Sequence, residues 1–160
     1  MSSLTASSVT MRPATTADLP AILALYAQLE IDDGDILPIA EAEAIFERMC
    51  SYPDYTLLVA ELNGRIVGSL ALLVMDNLGH LGAKSAVVED VVVEPTFHGK
   101  GLGKVMMRDA MVRAAAKRCY KMTLSSNIKR SSAHAFYDSL GFRRHGVSFW
   151  VDLPVAETSS

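Results

Sequence analysis

The sequence predicts a mixed α/β fold, on three observations. Stretches with helical spacing open the chain, stretches of strand period fill its middle, and a β-branched run then passes through a glycine-rich turn straight into a helix. The order of elements reads β-α-α-β-β-β-α-β-α-β. With 160 residues the chain has one domain's length, so a single domain over 1–160 is expected, its ordered core over residues 9–153.

Residues 9–13 open as a short strand. Thr16 or Asp18 can cap a helix running to Glu30, with Pro20 in its first turn, where a missing N–H leaves no bond unmade. Residues 31–38 form an acidic loop (Asp32, Asp33, Asp35) around Gly34. Ile39, Ala42, Ile45, Phe46 and Met49 then fall at helical spacing over 39–50. Strands at 56–62 and 66–75 flank Asn63-Gly64, a pair suited to the positive φ angles of a two-residue hairpin turn. A glycine-containing loop at 77–84 leads to a β-branched strand at 85–93. The next helix, 102–118, carries Met107, Ala110, Met111 and Ala114 as its apolar stripe, with Lys104, Arg108, Arg113 and Lys117 on other faces. Residues 120–125 alternate as a strand, 131–140 make a short helix stopped by Gly141, and 142–153 supply a last strand or hairpin arm.

Composition narrows the function. The two cysteines, Cys50 and Cys119, are too far apart for a ligand or redox motif, which excludes a disulfide scaffold and a zinc ribbon. The longest apolar run, residues 70–75, is far short of a membrane span. The Ser/Thr-rich start lacks the charge and apolar core of a secretory signal, so a cytoplasmic protein is expected. A net charge of −3 hides a strong asymmetry: residues 1–96 hold four Lys/Arg against fourteen Asp/Glu, and residues 97–145 hold eleven against two. The basic stretch could draw a polyanion. Its aromatics are sparse and no basic cluster exceeds two residues, so nucleic acid is not the expected partner.

The chemistry concentrates in Glu89-Asp90-Val91-Val92-Val93-Glu94-Pro95-Thr96-Phe97-His98-Gly99-Lys100-Gly101-Leu102-Gly103-Lys104. Glycines clear side chains from the backbone, and a helix start offers unpaired N–H groups at the positive end of its dipole, so the loop reads as a pyrophosphate cradle. Lys100, Lys104 and His98 add charge. The spacing is neither that of a Walker loop nor the G-x-G-x-x-G of a dinucleotide fold.

The unit resembles motif A of the GNAT superfamily of N-acetyltransferases. Val91-x-Val93-x-Pro95 is followed by His98-x-x-Gly101-x-Gly103, where the family has Arg or Gln in place of His98. Ala133-His134-Ala135-Phe136-Tyr137-Asp138-Ser139-Leu140-Gly141-Phe142 is similar to the family's motif B. The resemblance implies a mostly antiparallel sheet with flanking helices, acetyl-coenzyme A as cosubstrate, and acetyl transfer to an amine. It also implies that the loop backbone from His98 through Gly99, Lys100, Gly101, Leu102 and Gly103 to Lys104 holds the pyrophosphate, that Val91 and Val93 pair with the pantetheine arm, and that Tyr137 protonates the leaving thiolate. Arg130 stands where the family commonly has Asn. Asn127 could compensate, and Arg130 could instead meet a coenzyme A phosphate.

An alkylamine is protonated at pH 7 and needs a base. Glu89 and Asp90 are the candidates, on opposite faces of a regular strand, with Glu89 favoured and water as a possible relay. The run from Leu124 to Tyr137 is similar to aminoalkylphosphonate N-acetyltransferases, whereas the acidic loop would suit a cationic amine, so the acceptor stays open. The readings carried forward are a small-molecule amine acetyltransferase, a protein or peptide acetyltransferase, and a non-catalytic acyl-coenzyme A-binding module. A pocket role for His80 or His145 is open, no metal set is read, and a homodimer is left open by the resemblance.

Overall fold

The computed structural model describes residues 8–29 and 34–154. The chain divides into two compact units, residues 1–124 and 125–160. In the first, β1 (Val9–Pro13), α1 (Leu19–Ala27), α2 (Ile39–Ser51), β2 (Tyr55–Leu62), β3 (Arg65–Met75), β4 (Lys84–Val93), α3 (Leu102–Ala116) and β5 (Cys119–Thr123) follow in order. The second contains α4 (Ser131–Ser139).

The five strands form one sheet in chain order, antiparallel from β1 to β4 and parallel between β4 and β5. Asn63 and Gly64 turn the β2–β3 hairpin with φ of 51° and 76°, the twisted two-residue turn their sequence favours. One face of the sheet buries Leu57, Val59 and Ala71 against Leu19, Ile22 and Ala42 of α1 and α2, with Tyr26, Phe46, Met49 and Tyr55 packed around them. Helix α3 packs against β1, β3, β4 and β5. Its buried stripe is Leu102, Met106, Met107, Ala110 and Ala114. Met111, expected in that stripe, is exposed, because the four-residue steps from Leu102 turn it outward.

Arg12 ties the entry of α1 to the sheet. Its guanidinium donates to both carboxylate oxygens of Asp18 (2.7 and 2.9 Å) and to Glu61 on β2 (2.8 Å). Asp18, nine-tenths buried, also accepts from the Thr15 N–H (2.7 Å), so the cap is a Thr15–Asp18 box. At the opposite end, Asp54 pairs with Lys117 and Lys84, linking the start of β2 to the end of α3 and the start of β4.

The expected last strand over 142–153 is not formed. Residues 142–154 carry no strand, and Val147, Phe149, Trp150 and Val151 are at least 77% exposed. Apolar alternation gives a segment the side chains of a strand, but only a ladder of backbone bonds makes one. Trp150 bonds locally instead, to Asp152 (2.8 Å).

The Arg12 bond holds the Asp18 carboxyl down at about 2, against an ordinary value of 3.8. Its stabilisation is therefore complete above the ordinary value and fades as pH falls through about 2. Asp18→Asn should lower the unfolding free energy by roughly 1–3 kcal/mol at neutral pH, with the difference closing in acid. Denaturant titrations of both proteins across that range measure it, and a pH-independent difference would contradict the ion pair.

Candidate active site

Ladder arithmetic around β4 creates the site. Strand β5 pairs with β4 only from Lys84↔Cys119 to Val87↔Thr123, whereas β3 pairs with β4 as far as Gly68↔Val93. Beyond Val87, β4 therefore has a neighbour on its β3 side and no β5 partner on the other. The Glu94 N–H donates to Val67 O (2.9 Å) across the β3 side. Backbone groups alternate along a strand, so the N–H and C=O of Val93 face the free edge.

A bulge sits in the same stretch. Ser69 pairs with Val92 and Ala71 with Glu89, so Asp90 and Val91 together oppose Leu70, and Asp90 takes φ of 52°. The bulge breaks the regular alternation on which the opposite facing of Glu89 and Asp90 is expected. Glu89 shares the α1/α2 face with Ala71, and both carboxylates act on Tyr55 of that face, raising its hydroxyl pKa after burial itself. Burial, then Asp90, pushes the Tyr26 hydroxyl up to about 12, with the Ser69 hydroxyl opposing. Tyr52 stacks on Tyr55 with ring centres 6.0 Å apart. Tyr26 and Tyr55 were missed in the sequence. A tyrosine on the apolar stripe of Leu19 and Ile22 was the available signal, since a buried phenol brings a polar tip to a buried face.

After β4 the chain tightens into a three-ten turn, Pro95–Phe97. Phe97 N–H bonds Glu94 O (2.9 Å) and His98 N–H bonds Pro95 O (3.1 Å). The His98 ring does not project free as a phosphate contact: its Nε2–H donates to Val93 O at 2.9 Å. Glu94 is held by Arg65 (3.1 and 3.2 Å) and by the Thr96 hydroxyl (3.1 Å). Gly99 and Gly101 then adopt φ of 73° and 87°, and a Cβ at either would meet nothing within 4 Å, so open space lies over the turn. Gly101 is the N-cap of α3 and accepts the first helical bond, from Val105 (3.2 Å). By helix geometry the N–H groups of Leu102, Gly103 and Lys104 have no acceptor within α3. Lys100 Nζ lies 5.6 Å from the Phe97 ring centre. A free strand edge running into open helix-start amides fits a long, amide-bearing carrier that ends in a diphosphate.

In the second unit, Asn127 knits the turn before α4. Its Oδ1 accepts from Lys129 N–H (2.9 Å), and its carbonyl accepts from Arg130 N–H (3.0 Å) and the His134 ring (2.9 Å). Arg130 is the exposed N-cap of α4. Tyr137 is half-buried between Phe136 and Phe142, with ring centres at 5.2 and 5.8 Å. Burial pushes its hydroxyl up, Arg130 pulling the other way, so the phenol holds its proton at neutral pH. Ser126 Oγ, not singled out in the sequence, is buried without a hydrogen-bond partner.

Of the predicted residues, Glu89, Val91, Val93 and the loop through His98, Gly99, Lys100, Gly101, Leu102, Gly103 and Lys104 thus gather at the end of β4. Asn127, Arg130 and Tyr137 share the turn and helix of the second unit. Asp32 and Asp33 lie outside the described residues, and Asp35 is exposed. His80 packs at a tilt against the Tyr120 ring (centres 4.5 Å apart) in the loop before β4, at the other end of that strand from the glycines. Among the described residues, no group of three or more His, Cys, Asp and Glu is placed to hold a metal ion, and no helix is long and apolar enough to cross a membrane.

The model of the acetyltransferase (GNAT) family matches residues 22–142. The glucosamine 6-phosphate N-acetyltransferase of Trypanosoma brucei brucei is 40% identical over 90 residues, 56% of this chain and 59% of that protein. The aminoalkylphosphonate N-acetyltransferase of Salmonella typhimurium is 27% identical over 139 residues, 87% of this chain and 88% of that protein. Among solved structures, a suspected acetyltransferase from Agrobacterium tumefaciens superposes with a TM-score of 0.84 at 33% identity, covering 90% of this chain and 99% of that one.

The left-handed backbone at Asp90 separates two substitutions. Asp90→Gly should keep the folded stability, whereas Asp90→Val forces a β-branched residue into that region and should destabilise by roughly 1–2 kcal/mol. Thermal unfolding of the pair measures the difference; equal stabilities would contradict the bulge.

Proposed function

The chain belongs to the acetyltransferase (GNAT) family, and on that premise we propose that it transfers an acetyl group from acetyl-coenzyme A to the primary amine of a small molecule. The observation that carries the reading is the free edge of β4 leading into the open amides of α3. In this reading the backbone of Val91 and Val93 pairs with amides of the pantetheine arm, as an added strand would. The N–H groups of Leu102, Gly103 and Lys104 receive the diphosphate, with Lys100 and Lys104 adding charge.

Acetyl-coenzyme A supplies the thioester whose C–S bond breaks as the C–N bond to the amine forms. The chain's own part is to move protons. Glu89 takes the proton from the incoming ammonium, directly or through a water, with Asp90 next to it in the chain. The proton-returning role toward the sulfur falls to Tyr137 by its place in motif B, and a phenol kept protonated by burial is suited to it.

The relatives support a small acceptor, because glucosamine 6-phosphate and aminoalkylphosphonates are both compact amines bearing a phosphorus oxyanion. These two compounds head the panel that tests the reading, together with simple amines and peptides, with free thiol as readout. Release with a small amine supports it. Release with peptides alone would reassign the chain to protein acetylation, and cofactor binding without release from any amine would make it a binding module.

Two variants divide the roles. Tyr137→Phe should lower turnover roughly 10²–10⁴-fold, the usual contribution of a positioned acid, with coenzyme A affinity retained. Gly101→Glu should abolish coenzyme A binding in calorimetry, because it sets a carboxylate over the open amides. Retained binding in a folded Gly101→Glu protein would contradict the cradle.

A further inference from the structure

We propose that His98 is a positioning residue for coenzyme A, acting through the Val93 carbonyl and not as a ligand of the phosphates. The inference rests on the reading above and adds a part to it. Val93 presents its carbonyl on the free edge of β4, and the His98 ring donates Nε2–H to that oxygen at 2.9 Å. The bond closes the chain from Val93 to His98 into a ring, inside which Phe97 N–H and His98 N–H are already bonded to Glu94 O and Pro95 O.

The stretch before the glycines is thereby fixed at three points. The thrust of Gly99 and Gly101, whose positive φ angles set the direction of the α3 amides, starts from this fixed base. One bond thus couples the two halves of the site: the edge that takes the arm and the turn that takes the diphosphate. It also aims the Val93 carbonyl, which meets the arm with one of its two lone pairs already engaged. Lys100, by contrast, carries a charge that needs no such anchor and stands over the Phe97 ring.

The strut predicts a distinct pattern in variants of this exposed side chain. His98→Ala should weaken coenzyme A binding, and raise KM for acetyl-coenzyme A, by roughly 3–10-fold, the span of one net hydrogen bond. KM for the amine should not move. His98→Gln should restore affinity, because its side-chain amide ends in an N–H donor at similar reach, whereas His98→Leu should behave as His98→Ala.

Calorimetric titrations with coenzyme A at two salt concentrations, with melting temperatures as a check on folding, provide the test. A strut leaves the salt dependence of the dissociation constant unaltered in His98→Ala. A flattened dependence would assign the ring to the phosphates and overturn the proposal. So would unchanged affinity in His98→Ala, or failure of His98→Gln to recover it. A wild-type chain that binds no coenzyme A would instead remove the acetyltransferase reading, and this inference with it.

Discussion

Strand β4 is asked to satisfy backbone groups on two sides, and the fold provides a partner along its whole length on only one. Seven residues from Ser85 to Val93 pair with β3 on either side of a bulge, while β5 accompanies only Lys84 to Val87. Main-chain N–H and C=O groups left without partners are among the costliest features a protein can bury, so they stay at an open edge where water or a ligand meets them. The chemistry of the site follows from that mismatch. An edge with strand geometry recognises amides, and the helix start that follows it recognises anions. A carrier with amides at one end and phosphates at the other satisfies both at once.

The rest of the first unit holds this geometry in place. Arg12 binds Asp18 and Glu61, so that β1, the entry to α1 and β2 move together under the face that carries Glu89. Asp54, with Lys117 and Lys84, ties the other end of the sheet, where β4 and β5 are still paired. Fastening that end leaves the paired and unpaired parts of β4 distinct. Glu94, paired with Arg65, has a cation beside the carboxylate that precedes the glycine turn.

Much of this was legible in the residues, for physical reasons. Asn63-Gly64 announces its turn because few other pairs tolerate two positive φ angles, and the turn fixes the pairing of β2 with β3. The glycine turn before α3 is visible because open backbone needs missing side chains. The bulge was not visible. Asp is only tolerant of the left-handed region, and the strict alternation read along 85–93 does not hold where one inserted residue sets Asp90 and Val91 together opposite Leu70. The last strand failed for the complementary reason: Val147, Phe149 and Val151 have strand side chains, but pairing is a long-range property that local pattern does not contain. His98 could be placed in the loop from its motif position. The target of its ring depended on the turn that brings it back to Val93.

The most direct measurement of the account is an amide-resolved titration, ¹H–¹⁵N spectra recorded as acetyl-coenzyme A is added. The account predicts that the N–H signals of Val91, Val93, Leu102, Gly103 and Lys104 shift and become protected from exchange, while the interior pairs of β2 and β3 stay unchanged. Saturable binding that left those five signals where they were, with shifts concentrated elsewhere in the first unit, would contradict it.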